Sequence, residues 1–382
     1  MPGIIERELQ KRNVPNIFSG GGWTEQRRAE VLQLVTENVY GVIPPAPVNV
    51  KFTEKEDERD ENYFCGKAVF KKIIAECFLS DKDYPGLASR PELNGRFAFE
   101  ISCYLPKNTE GKKIAAAVAI HYRESHDFHN LSAELAVSRG AAVFAFRYRH
   151  IVNDYPENDH RQFDGEGLDR LYYGKSMKEM GRDERGPSGP GTIPFWAWGA
   201  MRVMDYIETL DFVDRGRVAV CGHSRLAKTA LLAGAHDTRF THVFCNASCA
   251  AGVALSRGDR KQNLFNMSQW HTLWFCENIN KFSLPANQTE PFDQHFLVAC
   301  VAPRKIYVAN SDDDAFCDEL SEFLSLAAAD PVFKLLGCAG LSRPDRLPVT
   351  GDRFAEGSAA YHLRPGKHSF ADEDWRMFLD WL

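Results

Sequence analysis

The rhythm of apolar and polar positions changes near Lys112. Before it, a helix-like amphipathic stretch at Thr24–Tyr40 is followed by a proline-rich break, Ile43-Pro-Pro-Ala-Pro47, and then by alternating segments near Val48–Phe52, Lys67–Leu79 and Phe97–Leu105. Alternation of this kind predicts half-buried strands, here forming an antiparallel edge. After Lys112, solid apolar runs take turns with stretches of helical spacing. The predicted order is strand Ile114–Ile120, helix Leu131–Arg139, strand Ala142–Tyr148, helix Pro194–Leu210, strand Arg217–Cys221 and helix Leu226–Ala235. Strand His242–Asn246, a helical insertion over Leu264–Phe275, strand Lys305–Asn310, helix Glu319–Ala329, strand Ala359–Leu363 and a final helix from Glu373 complete it. Such alternation implies right-handed crossovers and a mostly parallel sheet with helices on both faces, an α/β fold. We read 1–382 as one elaborated domain, with 1–110 an N-terminal helix and antiparallel strand extension. In sheets of this class ligands bind at the carboxyl ends of the strands. The long segment Val152–Pro190, rich in Gly, Asp, Arg and Tyr, is expected to wall that site.

Composition narrows the function classes. A chain of 382 residues that is 44% hydrophobic can bury a large core, and a net charge of −6 gives no general attraction for nucleic acid or anionic lipid. The first twelve residues lack the apolar centre of a secretion signal, and no segment has the length of a transmembrane helix. The chain as given is expected to be cytoplasmic, or secreted if a signal has been removed. Ten cysteines occur without a CxxC pair, and Cys221, Cys245 and Cys300 lie inside apolar runs, so no metal site is expected. Reduced thiols are the simplest expectation; a bridge between Cys221 and Cys249, which flank predicted turns, is the alternative.

The chemistry concentrates at Val218-Ala-Val-Cys221-Gly222-His223-Ser224-Arg225-Leu226-Ala227-Lys228. Strand, tight turn and helix in immediate succession are how an α/β-hydrolase exposes a nucleophilic serine, with backbone N–H groups of the helix N-terminus aimed at the oxyanion. Leu226 stands where a glycine is usual, so a serine that only caps the helix is the competing reading.

A serine nucleophile needs a base and an acid, and in this fold they follow in the order serine, acid, histidine, each after a strand. After Ile306–Asn310 comes Ser311-Asp312-Asp313-Asp314, and after Tyr361–Pro365 comes Gly366-Lys367-His368. His368 is the candidate base and Asp314 the candidate acid, with Asp313 its nearest competitor; a solvated acidic turn is the alternative for the aspartates. His223 is expected to point away from the chemistry and serve packing or hydrogen bonding, while His295 and His362 read as satisfied core residues. Lys228, one turn beyond the serine, reads from its position as a solvated helix lysine.

At these residues the chain resembles the glucuronoyl esterases, the fifteenth carbohydrate esterase family, and its bacterial branch in particular. The markers are Trp196-Ala-Trp-Gly199, the serine turn, Ala254-Leu-Ser-Arg257, Trp274-Phe-Cys276, Phe292-Asp-Gln-His295, Ala302-Pro-Arg304 and Arg364-Pro-Gly-Lys-His368. The resemblance implies an α/β-hydrolase that cleaves the ester between xylan-borne glucuronic acid and lignin alcohols, without metal or cofactor. It makes Ser224 the nucleophile, His368 the base, Arg225 an oxyanion-stabilising cation and Lys228 a sugar contact, with Gln262, Trp274 and Phe316 as further substrate-binding positions. Three departures stand out. Ala247 occupies the usual acid position after the preceding strand, which moves the acid to Asp314, as in some bacterial members. Gln262 replaces a sugar-binding glutamate and Phe316 a stacking tryptophan, losing a charge and an indole N–H.

The function expected is a serine carboxylic-ester hydrolase acting through an acyl-enzyme on carbohydrate esters, 4-O-methyl-glucuronate esters first. An acetyl xylan or other short-acyl sugar esterase is the rival specificity, and an inactive saccharide-binding module the rival class. The expected partner is a small or oligosaccharide ester.

Overall fold

The computed structural model of the chain describes residues 2–18, 21–107, 109, 111–122, 132–154, 166–282 and 291–382. Helices α1 (Ile4–Lys11) and α2 (Glu25–Val35), the latter running on through a π turn at Thr36–Tyr40, precede three long strands, β1 (Asn49–Asn62), β2 (Ala68–Phe78) and β3 (Arg96–Pro106), with a single turn α3 (Tyr63–Gly66) between the first two. Strands β4 (Ile114–His121) and β5 (Ala142–Arg147) are joined through α4 (Ala133–Ser138), and α5 (Leu168–Tyr173) and α6 (Thr192–Ile207) lead to β6 (Val213–His223). Then come α7 (Arg225–His236), β7 (His242–Asn246), α8 (Leu264–Trp270), α9 (His295–Ala299), β8 (Lys305–Ser311), α10 (Glu319–Leu335), β9 (Arg353–Phe354), β10 (Ala359–Arg364) and α11 (Asp372–Leu379).

All these strands form one sheet of ten, ordered β1-β2-β3-β5-β4-β6-β7-β8-β10-β9. β1, β2, β3 and β5 pair antiparallel, and β5 through β10 pair parallel in that spatial order, with β9 returning antiparallel at the far edge. The outer strands alternate buried and exposed residues, whereas β4, β7 and β10 are buried throughout. That contrast follows from coverage: parallel strands have helices on both faces, and the antiparallel edge keeps one wet side.

The two helices beside the serine turn are held by packing. α6 is apolar nearly all round and buried along almost its whole length, and its indoles find partners: Trp196 Nε1–H donates to the Val152 carbonyl at 2.9 Å and Trp198 Nε1–H to that of Pro45 at 2.8 Å. α7 buries Leu226, Leu231 and Leu232, each fully enclosed side chain contributing roughly 1.5–3 kcal/mol. It lies close to β7: a Cβ at Gly234 would fall 2.3 Å from Val243.

The elements follow the expected order, with differences that have local causes. β6 begins at Val213, because Ile114 pairs with Val213 ahead of the apolar run. α8 ends at Trp270, and the predicted helical insertion over Leu264–Phe275 continues as turns. α10 passes through Pro331 to Leu335, its end fixed by buried Val332 and Phe333. Leu131 and residues 155–165 of the long predicted loop lie outside the described residues. Among the described residues no helix is long and apolar enough to cross a membrane.

Candidate active site

Ser224 sits between the last residue of β6 and the first of α7, with φ 57° and ψ −123°. A non-glycine residue holds such angles only where its surroundings enforce them. One contact does so here, the Ser224 N–H donating to the Asn246 carbonyl at 2.9 Å, and the turn is so tight that a Cβ at Gly222 would lie 2.3 Å from the Leu226 oxygen. The missing glycine at Leu226 is therefore no obstacle, since the close approach falls on Gly222.

The loops after β8 and β10 meet beside this turn. Ser311 Oγ donates to the Lys367 carbonyl at 2.9 Å, the Asp313 N–H to the Gly366 carbonyl at 3.0 Å, and the Gly366 N–H to Asp312 Oδ1 at 3.0 Å. They bring Asp314 Oδ2 to 2.7 Å from His368 Nδ1. Asp314 is 2% exposed, and its Oδ1 accepts from the N–H groups of Phe316 (2.8 Å) and Cys317 (3.0 Å). Burial raises the carboxyl pKa, but the His368 contact and the two amides outweigh it and hold it below the usual carboxylate value. The ionised carboxylate accepts from Nδ1–H and leaves Nε2 of His368 as the basic nitrogen. Of the three aspartates, Asp312 is spent on Gly366 and Thr350, and Asp313 is exposed.

The His368 ring centroid is 4.4 Å from that of His223, the residue before the serine. His223 is itself buried, with Nδ1 2.6 Å from Asn246 Oδ1 and its carbonyl accepting from Tyr122 Oη at 2.9 Å. Burial and the neighbouring His368 push its pKa down to about 3, so it stays neutral. His362 is likewise satisfied by Tyr307 and Asp374, and His295 Nε2–H donates to the Pro15 carbonyl at 3.1 Å.

Arg225 is held from below. Its Nη1 donates to Asp154 Oδ2 at 2.7 Å, and its guanidinium lies 4.6 Å from the Trp274 ring centre. The Trp274 indole N–H donates to the same Asp154 oxygen at 3.1 Å, and His271 stacks on the indole at 3.6 Å. A fully buried carboxylate thus orients both a cation and an aromatic wall.

The remaining predicted positions divide. Lys228 is 2% exposed, with Nζ donating to the carbonyls of Ser248 and of Ala250 (2.7 Å), and burial pushes its pKa down to about 7. The reading of Lys228 as a solvated helix lysine is corrected, because the loop after β7 folds over it. A sugar contact would fall to its remaining N–H. Phe316 is 53% exposed, its ring edge-on to His368 at 5.2 Å. Gln262 lies in a turn whose amides are held by Asp259, next to Lys261, which donates to the carbonyls of Asp314 (2.6 Å) and Cys317 (2.8 Å).

The expectation of wholly reduced cysteines, and its alternative of a Cys221–Cys249 bridge, are both corrected: Cys249 is bonded to Cys317, and Cys221 is a buried free thiol. Cys249, Cys317 and His368 offer atoms within 4.8 Å of one another. Two of the three are joined in the disulfide and so are no thiolate ligands. Asp154, Lys261 and Cys317 went unnamed from sequence; a cysteine three residues past a candidate acid was the one available hint.

Comparison with known proteins bears on this geometry. Residues 97–337 match the family model described as glucuronyl esterase, fungi. The chain is 29% identical to the carbohydrate esterase MZ0003 from an unknown prokaryotic organism, across 95% of this chain and 85% of that one. A 4-O-methyl-glucuronoyl methylesterase of Podospora anserina is 28% identical across 59% of this chain and 48% of its own length, so the chain spans about half of that fungal relative. A solved glucuronoyl esterase from Solibacter usitatus is 28% identical and superposes with a TM-score of 0.78 over 96% of both chains.

Proposed function

The chain belongs to the glucuronoyl esterase family, and on that premise we propose that Ser224, His368 and Asp314 hydrolyse esters of glucuronic acid side chains through an acyl-enzyme. The protein is a carboxylic-ester hydrolase with the α/β-hydrolase fold. The observation that carries the assignment of roles is the 2.7 Å contact between His368 Nδ1 and Asp314 Oδ2, made beside a serine held at φ 57°.

In this mechanism Nε2 of His368 takes the proton of Ser224 Oγ as that oxygen attacks the ester carbonyl. Asp314 keeps the imidazole in the required tautomer and supports its charge once protonated. Arg225 and the amide at the start of α7 stabilise the oxyanion, a role that the Asp154 contact supports by fixing the guanidinium before substrate arrives. Collapse of the tetrahedral intermediate breaks the bond to the alcohol, which leaves with the proton from His368. Water, deprotonated by the same nitrogen, then attacks the acyl-enzyme and releases the uronic acid.

The substrate face supports a sugar bearing an apolar or aromatic alcohol: exposed Phe316 and the Trp274 wall flank the site, with Gln262 as the uncharged hydrogen-bonding partner. The disulfide supports an oxidising compartment as the place of work. The test is a comparison of a benzyl glucuronate ester with acetylated xylan. Faster alcohol release from the uronate ester is the expected result; faster acetate release would replace this reading with a short-acyl sugar esterase.

A further inference from the structure

Resting on the esterase reading, we propose that the Cys249–Cys317 disulfide is a positioning device that holds Asp314 against His368. The acid of this chain stands after β8, while the loop after β7 offers only Ala247 at its start. The disulfide ties these two loops together across 68 residues of sequence. At one end, the Cys317 N–H donates to Asp314 Oδ1 at 3.0 Å, and Cys317 Sγ lies 3.8 Å from His368 Nδ1, the nitrogen that pairs with Asp314. The sulfur therefore fills space beside the Asp314–His368 hydrogen bond that water would otherwise enter.

The other end is an anchor. The Cys249 N–H donates to Glu322 Oε1 at 2.5 Å, and the carbonyls of Ser248 and Ala250 on either side accept from the buried ammonium of Lys228. Ala247, Cys249 and Ala251 hold φ of 47°, 56° and 53°, a region that non-glycine residues keep only where the surroundings over-determine it. A crosslink from so fixed a loop passes its rigidity to 314–317. Lys261 also grips the Asp314 and Cys317 carbonyls, but it holds backbone oxygens, whereas the sulfur faces the imidazole.

The test is the Cys249→Ala/Cys317→Ala variant, assayed on a benzyl glucuronate ester beside untreated wild type and wild type opened with dithiothreitol. The reductant supplies two electrons and two protons to the disulfide and leaves as its own cyclic disulfide. Loss of the crosslink is expected to lower kcat roughly 10- to 100-fold, the scale of a misplaced catalytic group, with KM changed by less than about twofold. The downfield resonance of His368 Nδ1–H, which needs no substrate, weakens or moves upfield, and reoxidation of the reduced wild type restores it together with kcat. A lower melting temperature with kcat and resonance unchanged overturns the inference. If the alanine variant fails to fold, Cys249→Ser/Cys317→Ser and the reduced wild type carry the same readouts. An untreated enzyme without esterase activity would count against the esterase reading instead, and the resonance would still decide the role of the disulfide.

Discussion

His368 and Asp314 come from loops 54 residues apart in sequence and meet at 2.7 Å, with the carboxylate oxygen not facing the imidazole saturated by two backbone amides. An aspartate so bound has little choice of rotamer. Asp314→Asn keeps the shape but offers a donor or a neutral acceptor where an anion is needed, and kcat should fall about 10³- to 10⁴-fold. Asp313→Asn, on an exposed turn, should stay within about twofold of wild type. Comparable losses in both would reject Asp314 as the acid.

The same carboxyl makes a statement about acid stability. Its folded pKa lies below the ordinary value, so the stability it contributes is present above about pH 4 and is lost as pH falls through the folded value. Urea titrations should show wild type losing more stability than Asp314→Asn from about pH 4 downward. Parallel acid limbs would contradict the coupling.

Arg225 shares Asp154 with the Trp274 indole. Arg225→Met should lower kcat on the order of 10²-fold by removing an oxyanion partner. It should also cost about 1–3 kcal/mol in unfolding free energy, because the buried carboxylate loses its cation. Asp154→Asn should lower kcat less, since the cation remains and only its orientation is relaxed. Equal losses would mean that Arg225 acts solely through the fold.

Lys228 is buried, with its pKa pushed down to about 7. Between that value and about 10.4 the unfolded chain holds a proton that the folded chain lacks, so its contribution to stability rises with pH, by up to about 1.4 kcal/mol per pH unit. Lys228→Met should flatten the rise in stability between about pH 7 and pH 9. Identical slopes for the two proteins would show that the amine keeps its ordinary proton.

Phe316 presents more than half of its surface to solvent beside His368. Phe316→Ala should raise KM for an aromatic uronate ester about two- to tenfold, the value of one aromatic contact, with a smaller change for the methyl ester. An equal change for both esters would remove Phe316 from alcohol recognition.

What could be read in the chain were the parts specified locally. The Gly222–Ser224 turn is written in a strand run, a glycine and a helix-forming run, and Asp314 and His368 stand just past strands whose carboxyl ends must face the same side. Asp154 was invisible because its segment has no periodicity and the two partners that tie it to the site, Arg225 and Trp274, lie 71 and 120 residues away. The fate of Lys228 depends on a loop 20 residues later folding over it, which helical spacing does not encode. The pairing of Cys249 with Cys317 is equally long-range, and ten cysteines leave many pairings open.

Attack of Ser224 on a glucuronate ester is read from the rate of alcohol release from a benzyl glucuronate ester by wild type and by Ser224→Ala. Wild type should turn the ester over, and Ser224→Ala, with the fold intact, should lose at least about 10³-fold in kcat. A Ser224→Ala protein that keeps wild-type activity would rule out Ser224 as the nucleophile.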